Sequence, residues 1–358
     1  MIKFSDKQWD AVIKNYRLWW DNKLGRPIIP VMFYGGEPGR AKPAADFPSF
    51  ANCNDLSVTP EQVIDSYDYA LCRNEFYGDA FPLMKMDNFG PGITAAFLGA
   101  ELHNTPETVW FEPRKALPLS ELHFEYDPNN IWLNRVKDIY IAGMKRWRGE
   151  VVMCMTDLSG ILDILAVFRT TDNLLIDLYD EPGEVLRLAG ELQALWFRFY
   201  NEINGILKGS RGYSDWSTIF SEKPSYIIQS DFSYMISPAM FQEFVLGELE
   251  SSAGKLTNAF YHMDGIGQLP HLDMLLKSKN IKGIQWVPGT GAPDGMDWSE
   301  VYSKISAAGK KIQGQYNLDK YFYEILKVIK RPDDLIKMAV HYPVAQKREI
   351  FAELKNYF

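Results

Sequence analysis

The feature that most constrains this chain is a regular alternation, from Pro60 onward, of short apolar runs with longer stretches of helical spacing. Such alternation is typical of a mostly parallel β/α fold, in which each strand is followed by a helix. The helix candidates are residues 60–76, 129–147, 181–207, 238–252, 267–277, 298–308 and 319–328. The strand candidates are residues 151–155, 226–229, 257–261, 281–286 and 311–314.

Residues 1–60 carry an additional helix and the first strand region. Between positions 5 and 24, apolar residues such as Trp9, Tyr16 and Trp19 recur with helical spacing, so one face of this segment is apolar. An apolar run over 27–34 stops at Gly35-Gly36, as a buried strand does before a loop. We predict that this N-terminal helix packs on the main fold or caps it.

The composition fits one large soluble domain. The chain has 358 residues, 46% of them hydrophobic, so we expect a single domain over 1–358 with a (β/α)8 TIM barrel as its fold class. Its 38 basic and 46 acidic residues are scattered and sum to −8, which argues against nucleic-acid binding and against an anionic membrane surface. The three cysteines form no C-x-x-C pair, and the N-terminus lacks an apolar signal region, so we expect a cytoplasmic protein.

Polar or aromatic side chains stand where the predicted strands end. In a β/α barrel these carboxyl ends share one rim, where catalytic groups converge because the loops there can vary without disturbing the barrel. The sequence therefore predicts a functional site at this rim. Its candidate residues are Asp157, Asp231, His262, Asp264, Trp286 and Gln315.

The segment His262-Met263-Asp264-Gly265 is the sharpest of these motifs. In an extended backbone, residues i and i+2 point to the same side, so His262 and Asp264 are able to share a metal ion or a substrate. The alternative is structural: Asp264 caps the helix that starts near Gly267, and His262 forms a hydrogen bond within the rim.

Several segments resemble the uroporphyrinogen decarboxylase superfamily, from about residue 60 to the end. That superfamily contains true decarboxylases and zinc-dependent methyltransferases that move methyl groups between corrinoids and thiols, and the resemblance implies the TIM barrel. The segments that carry it are Tyr77-Gly78-Asp79-Ala80-Phe81, Asn88-Phe89-Gly90-Pro91-Gly92, Ser230-Asp231, residues 236–244, His262-Met263-Asp264-Gly265 and Gln285-Trp286-Val287-Pro288-Gly289.

Porphyrinogen decarboxylation is the poorer fit within that resemblance. True decarboxylases carry an arginine-rich segment after the first strand, but the matching stretch here offers only Arg40. One guanidinium cannot pair with the many carboxylates of a uroporphyrinogen. The resemblance nevertheless matches Asp79 to the aspartate at the pyrrole nitrogens and Asp231 to a second decarboxylase aspartate, so both are catalytic candidates.

The methyltransferase branch is the closer fit. Its His-x-Cys-Gly segment corresponds to His262-Met263-Asp264-Gly265, and its later cysteine to His341, so the resemblance implies a zinc set of His262, Asp264 and His341. Without thiolates such a zinc would be a harder Lewis acid and would favour oxygen ligands. The alternative is that metal binding has been lost and these residues remain as hydrogen-bonding or acid/base groups. Methylcobalamin would arrive on a separate corrinoid protein, because this chain lacks an Asp-x-His-x-x-Gly segment.

The remaining candidates complete the predicted site. Asp157 either has a functional role, in which it binds substrate or accepts a proton, or caps the following helix. Tyr34, Trp216, Trp286 and Gln315 are predicted to bind substrate. We expect methyl transfer on a small molecule, with decarboxylation of a porphyrinogen or other carboxylated ring and a non-catalytic ligand-binding barrel as alternatives. A homodimer is expected for a barrel of this kind.

Overall fold

Alternating strands and helices form a mixed α/β fold in the computed structural model, which describes residues 2–45, 53–86, 88–289, 292, 297–314, 320–355 and 357. The α-helices are α1 Asp6–Trp20, α2 Pro60–Cys72, α3 Ile93–Phe97, α4 Ile131–Trp147, α5 Ile161–Arg169, α6 Thr171–Asp180, α7 Pro182–Ile206, α8 Pro238–Phe244, α9 Leu246–Lys255, α10 Leu272–Lys277, α11 Ser299–Ala307, α12 Lys320–Val328 and α13 Lys347–Leu354. The strands are β1 Pro30–Tyr34, β2 Glu75–Gly78, β3 Leu83–Met84, β4 Glu101–Asn104, β5 Val109–Glu112, β6 Val152–Met153, β7 Ser225–Gln229, β8 Asn258–Asp264, β9 Ile281–Val287, β10 Lys311–Gly314, β11 Leu335–Lys337 and β12 Val340–Pro343.

Five consecutive strands form one parallel sheet in the order β11-β10-β9-β8-β7. Every strand of this sheet is largely buried, as parallel strands covered by helices require. Because consecutive strands are neighbours and run the same way, their carboxyl ends lie along one edge of the sheet. That edge carries Asp231, His262, Asp264 and Trp286, four of the residues that the sequence places at strand ends.

The other strands form smaller groups. Strand β1 pairs in parallel with β12 and antiparallel with β2, β3 pairs in parallel with β6, and β4 and β5 form an antiparallel hairpin.

Short hydrogen-bonded links connect these groups. Ile28 bridges Ile336 of β11 in parallel, with its amide 3.1 Å from the Leu335 oxygen. The Asp79 amide donates to the Ile29 oxygen at 3.2 Å, and Met155 bridges Asp215 in parallel. The links therefore join β11 to the first strand, and the first strand to the segment before β3.

Helix α1 packs on the side where the strands begin. Ser5 and Gln8 form a capping box at its start, which satisfies two amide donors that a helix leaves unpaired. Its aromatic face contacts Phe81, Phe260 and Ile336 among others, and the Lys311 ammonium, at the start of β10, lies 4.6 Å from the Trp19 ring centre. The predicted N-terminal helix is thus confirmed, and it lies opposite the strands' carboxyl ends.

Most predicted helices and strands are confirmed with ends shifted by a few residues. The helix predicted over 238–252 is two helices that meet at Val245, and the helix predicted over 267–277 begins as a 3-10 helix because Pro270 lies inside it. In the part of the chain that the structure describes, no helix is both long and apolar enough to cross a bilayer.

Candidate active site

Four polar side chains lie side by side at the carboxyl ends of neighbouring strands. The pairing register puts Gln229 of β7 opposite His262 of β8, His262 opposite Gln285 of β9, and Gln285 opposite Gln313 of β10. All four are at least nine-tenths buried. Buried amides and imidazoles need hydrogen-bond partners, so their mutual contacts determine what the site can do.

A chain of hydrogen bonds places a proton on Nδ1 of His262. The Ser217 carbonyl can only accept, so the amide that faces it at 2.8 Å is the Nε2 group of Gln313. The Gln313 oxygen then accepts from Nε2 of Gln285, which turns the Gln285 oxygen toward Nδ1 of His262. Nδ1 must therefore carry the proton, and Nε2 of the neutral ring carries a lone pair.

The His262 imidazole lies beside a carboxylate, on the side of its Nε2 atom, and an indole. Asp264 Oδ2 lies 3.8 Å away, and the Trp216 ring meets the imidazole edge to face with 5.0 Å between ring centres. Burial lowers the pKa of His262, although the Asp264 carboxylate opposes that shift. A neutral imidazole with an available lone pair can accept a proton or bind a metal ion.

Three further carboxylates gather beside this pair. Asp163 of α5 accepts hydrogen bonds from the amides of Asp231 and Phe232, at 3.0 and 2.7 Å. Burial and the nearby Asp231 carboxylate raise the pKa of Asp163 to about 7, and burial together with Asp264 raises the pKa of Asp231 to about 6. Burial raises the pKa of Asp157 to about 8, with a smaller contribution from Asp231. Several carboxyl groups here are thus poised to exchange protons near neutral pH.

The acidic cleft, as we call it, opens between Asp163, Asp231 and strand β5, with a volume of about 430 Å³. Ser159 on its wall has a φ of +62°, which is unusual for a residue with a side chain and common near functional sites. The lining residues are Pro91, Gly92, Val109, Phe111, Ser159, Asp163, Ala166, Val167, Thr171, Gln229, Asp231, Phe232 and Met235.

His341 lines a different cleft, of about 330 Å³, together with Lys85 and Thr218. Burial and the Lys85 ammonium lower the pKa of His341. Within the described residues, no three His, Cys, Asp or Glu side chains gather in a group that could hold a metal ion. The structure thus keeps His262 and Asp264 together but does not add His341 to them.

Asp79 lies away from this rim, on the side covered by α1. Its side chain is fully buried and accepts hydrogen bonds from Arg26 through two nitrogens, from Asn15 and from the Ile29 amide, all between 2.6 and 2.9 Å. A carboxylate with both oxygens occupied in this way holds the helix to the strands, and it is not directed at either cleft.

The aromatic candidates differ in placement. Trp216 contacts His262, whereas Trp286 is fully buried and packs edge-on against Trp298, with 5.2 Å between ring centres. Tyr34, at the end of β1, is 47% exposed. Gln315 lies outside the described residues.

Sequence reasoning missed Asp163, Gln285 and Gln313 as site residues. Asp163 sits inside an apolar helix, Ile161–Arg169, where its only signal is an isolated carboxylate three positions after Gly160. A larger cleft of about 610 Å³ lies between α2 and α4, beside Asp65 and Arg146, and includes none of the rim residues. Volume alone therefore does not mark the site.

Comparison with known proteins supports the fold. No family model and no curated protein matches the chain. The chain resembles the solved structure of a methyltransferase from Methanosarcina mazei with a TM-score of 0.60 at 11% sequence identity, over 97% of this chain and 99% of that one. At this identity the likeness shows a shared fold, and the chemistry must be argued from the residues.

Proposed function

We propose that this chain is a methyltransferase that acts on a small molecule at the rim formed by His262, Asp264 and the acidic cleft. The observation that carries the proposal is the hydrogen-bond chain from Ser217 to His262, which leaves Nε2 of a buried, neutral imidazole unprotonated. A positioned base of this kind is what an enzyme needs and what a purely structural histidine does not. The fold shared with a methyltransferase supports methyl transfer as the reaction.

Eight parallel strands closed into one barrel are part of the proposal. The links at Ile28 and Asp79, the β3–β6 pair and the Met155–Asp215 bridge lead from β11 to Asp215, whose carboxylate accepts a hydrogen bond from the Ile227 amide of β7. Closure would bring Asp157, Asp231 and His262 to the same mouth, where a single domain over residues 1–358 would bind its substrate.

The proposed chemistry assigns a proton acceptor to the chain. An acceptor molecule loses its proton to Nε2 of His262, its freed electron pair attacks the methyl carbon, and the donor departs with the electrons of the broken bond. The Asp264 carboxylate stabilises the imidazolium that forms, because an opposite charge nearby favours the protonated ring. The hydrogen bond from Nδ1 to Gln285 holds the ring in place throughout.

Zinc is a narrower proposal. His262 and Asp264 together offer two donors, but a third donor at His341 faces the other cleft beside Lys85. These residues therefore do not make the three-ligand set expected from the sequence, and no step above passes through a metal. A separate corrinoid protein as methyl donor, a homodimer and a cytoplasmic location remain predictions.

Decarboxylation is not favoured by the geometry. Among the described residues that line the acidic cleft there is no Lys, Arg or His to hold a polycarboxylate. Asp79, on which that reaction would depend, is engaged by Arg26 and Asn15 on the opposite side.

The test is methyl transfer with isotopically labelled donors, including a methylated corrinoid, and with mass spectrometry of the acceptor. We expect His262→Ala to reduce turnover by about 100-fold or more, the usual size of a general-base contribution. His123→Ala, which removes an exposed imidazole, should retain turnover. Equal turnover in both variants would leave a non-catalytic ligand-binding barrel as the better description.

Elemental analysis addresses zinc separately, on protein made without chelators or a histidine tag. Near one zinc per chain that disappears in His262→Ala would support a metal at this pair. Zinc that remains in the variant, or its absence from both proteins, would remove His262 as a ligand.

A further inference from the structure

The acidic cleft presents acceptors and no cations. Its described lining includes the carboxylates of Asp163 and Asp231 but no Lys, Arg or His. The Asp163 oxygens are occupied by backbone amides, whereas no described group donates a hydrogen bond to the Asp231 carboxylate, which lines the cleft. A ligand that enters this cleft can therefore donate a hydrogen bond to the Asp231 carboxylate, which accepts none from the described residues.

Gln229 supplies a second unmet acceptor. Its side chain is 4% exposed and lines the same cleft, and its Oε1 atom has no hydrogen-bond partner among the described residues. A buried amide oxygen without a donor costs free energy, which a ligand carrying an N–H or O–H group would recover. Because Gln229 is the register partner of His262, the ligand would lie next to the proposed base.

The size and walls of the cleft exclude a bare ion as its natural occupant. About 430 Å³ is the volume of a small-molecule pocket, many times that of a metal ion. Apolar walls from Val109, Phe111, Phe232 and Met235 would contact the hydrocarbon part of a ligand. An ammonium group also gains from aromatic rings that it approaches face-on.

From these features we propose that the acidic cleft binds a small organic amine, with its ammonium group on Asp231 and Gln229 and its hydrocarbon part on Phe111 and Phe232. That this amine is also the methylated or demethylated molecule rests on the function proposed above. The binding itself does not depend on that function.

Calorimetric titration of the full chain with matched probes tests the proposal. Benzylamine and benzyl alcohol share a shape and differ in charge, and benzyltrimethylammonium carries the charge without an N–H group. We expect benzylamine to bind at least tenfold more tightly than benzyl alcohol, with benzyltrimethylammonium between them, because one charge-assisted hydrogen bond is worth about that much. Zinc and magnesium salts are titrated in parallel.

Two variants assign the contacts. Asp231→Asn should weaken both cationic probes about tenfold. Gln229→Met should weaken benzylamine and leave benzyltrimethylammonium unchanged, because only the first of these two cations carries N–H donors. Asp10→Asn makes the same charge change on an exposed position of α1 and should have no effect.

The proposal is overturned if benzyl alcohol binds as well as benzylamine, if a metal salt alone binds and displaces the amine, or if Asp231→Asn behaves like Asp10→Asn. Amine binding without methyl transfer in the wild type would defeat the proposed function and leave this inference standing. Methyl transfer by a protein that binds none of the three probes would support the proposed function and defeat this inference.

Discussion

The backbone carbonyl of Ser217 determines which nitrogen of the candidate base, His262, carries a proton. The Ser217 oxygen can only accept, and through two glutamine amides that restriction decides which nitrogen of His262 carries a proton. Removal of hydrogen-bond partners that orient a reactive or metal-binding side chain commonly changes activity or metal affinity by about 10–100-fold. The reactivity of His262 thus depends on residues that do not touch the substrate.

The hydrogen-bond chain predicts one tautomer for His262. Nitrogen-15 NMR should show a neutral ring at pH 7 with Nδ1 protonated and Nε2 not, and the chain has only five histidines to assign. In Gln285→Leu the Nδ1 proton loses its acceptor, so we expect a mixture of tautomers. A wild-type ring protonated at Nε2 would contradict the proposed role as a base.

The raised pKa of Asp157 predicts that the free energy of unfolding depends on pH. Burial raises its pKa to about 8, above its unfolded value of about 4, so the protonated form stabilises the fold fully below pH 4 and progressively less as the pH rises toward 8. Asp157→Asn cannot ionise and can still accept from the Ser159 amide. We expect its melting temperature, relative to wild type, to rise by about 2 °C or more between pH 5 and pH 8.

The matched control for that measurement is Asp180→Asn, an exposed carboxylate at the end of α6. Its melting temperature should follow the wild type across the same range. A parallel curve for Asp157→Asn as well would mean that Asp157 is already ionised in the folded protein.

Residue types that end strands could be identified as site candidates from the sequence, but their partners could not. His262, Asp264 and Asp231 stand directly after apolar runs. In the structure the Asp264 carboxylate is close enough to affect the pKa of both Asp231 and His262. Gln285 and Gln313 lie inside strands, where an amide looks like an ordinary polar residue until the register places it beside His262. Whether His341 lies beside His262 and Asp264 depends on how the last strands of the chain pair. No local sequence pattern predicts that pairing.

At the scale of elements, α1 is attached by a buried ion pair as well as by its aromatic face. Arg26, just after the helix, binds Asp79, and Asn15 on the helix binds the same carboxylate. The aromatic spacing of α1 predicted its buried face, whereas the contact between Arg26 and Asp79 spans two separate segments and could not be read from either.

This ion pair predicts an asymmetric response to mutation. Arg26→Ala leaves the fully buried Asp79 carboxylate without its counter-ion and should lower the free energy of unfolding by about 3 kcal/mol in urea titrations. Arg17→Ala breaks an equally close pair with Glu222 on the surface and should change it little. If the two variants were equally stable, Asp79 would not be the anchor of α1.

Element boundaries show where sequence periodicity was sufficient. The 25-residue helix Pro182–Ile206 was predicted almost to the residue because its apolar stripe is long. Helices α5 and α6 were missed. Ile161–Arg169 is apolar at most positions and only nine residues long, and periodicity alone does not separate so short an apolar run from a buried strand.

At the scale of the whole molecule, the sheet groups are held together by few backbone hydrogen bonds. Ile28, Lys337 and Asp79 provide the amides of the links on either side of β1. In the proposed closed barrel these amides belong to the same hydrogen-bonded ring as those of the central strands, so we expect similar protection from exchange.

Hydrogen exchange tests that expectation. We expect the amides of Ile28, Lys337 and Asp79 to exchange within about tenfold of the Ile284 amide in β9, as parts of one cooperative unit. Amides of the β4–β5 hairpin should exchange much faster, since β4 is partly exposed and pairs only with β5 among the described strands. Exchange at Ile28 as fast as in the hairpin would indicate an open sheet.

The bridge between Ile28 and Ile336 also has a consequence for biosynthesis, because its partners lie about 300 residues apart. A ribosome adding roughly 5–20 residues per second needs about 15–60 s to make that stretch. Until then one edge of the first strand has no partner, and the aromatic face of α1 lacks the side chains of Phe260 and Ile336 that cover it. The nascent chain is therefore open to mispairing with its neighbours for most of its synthesis.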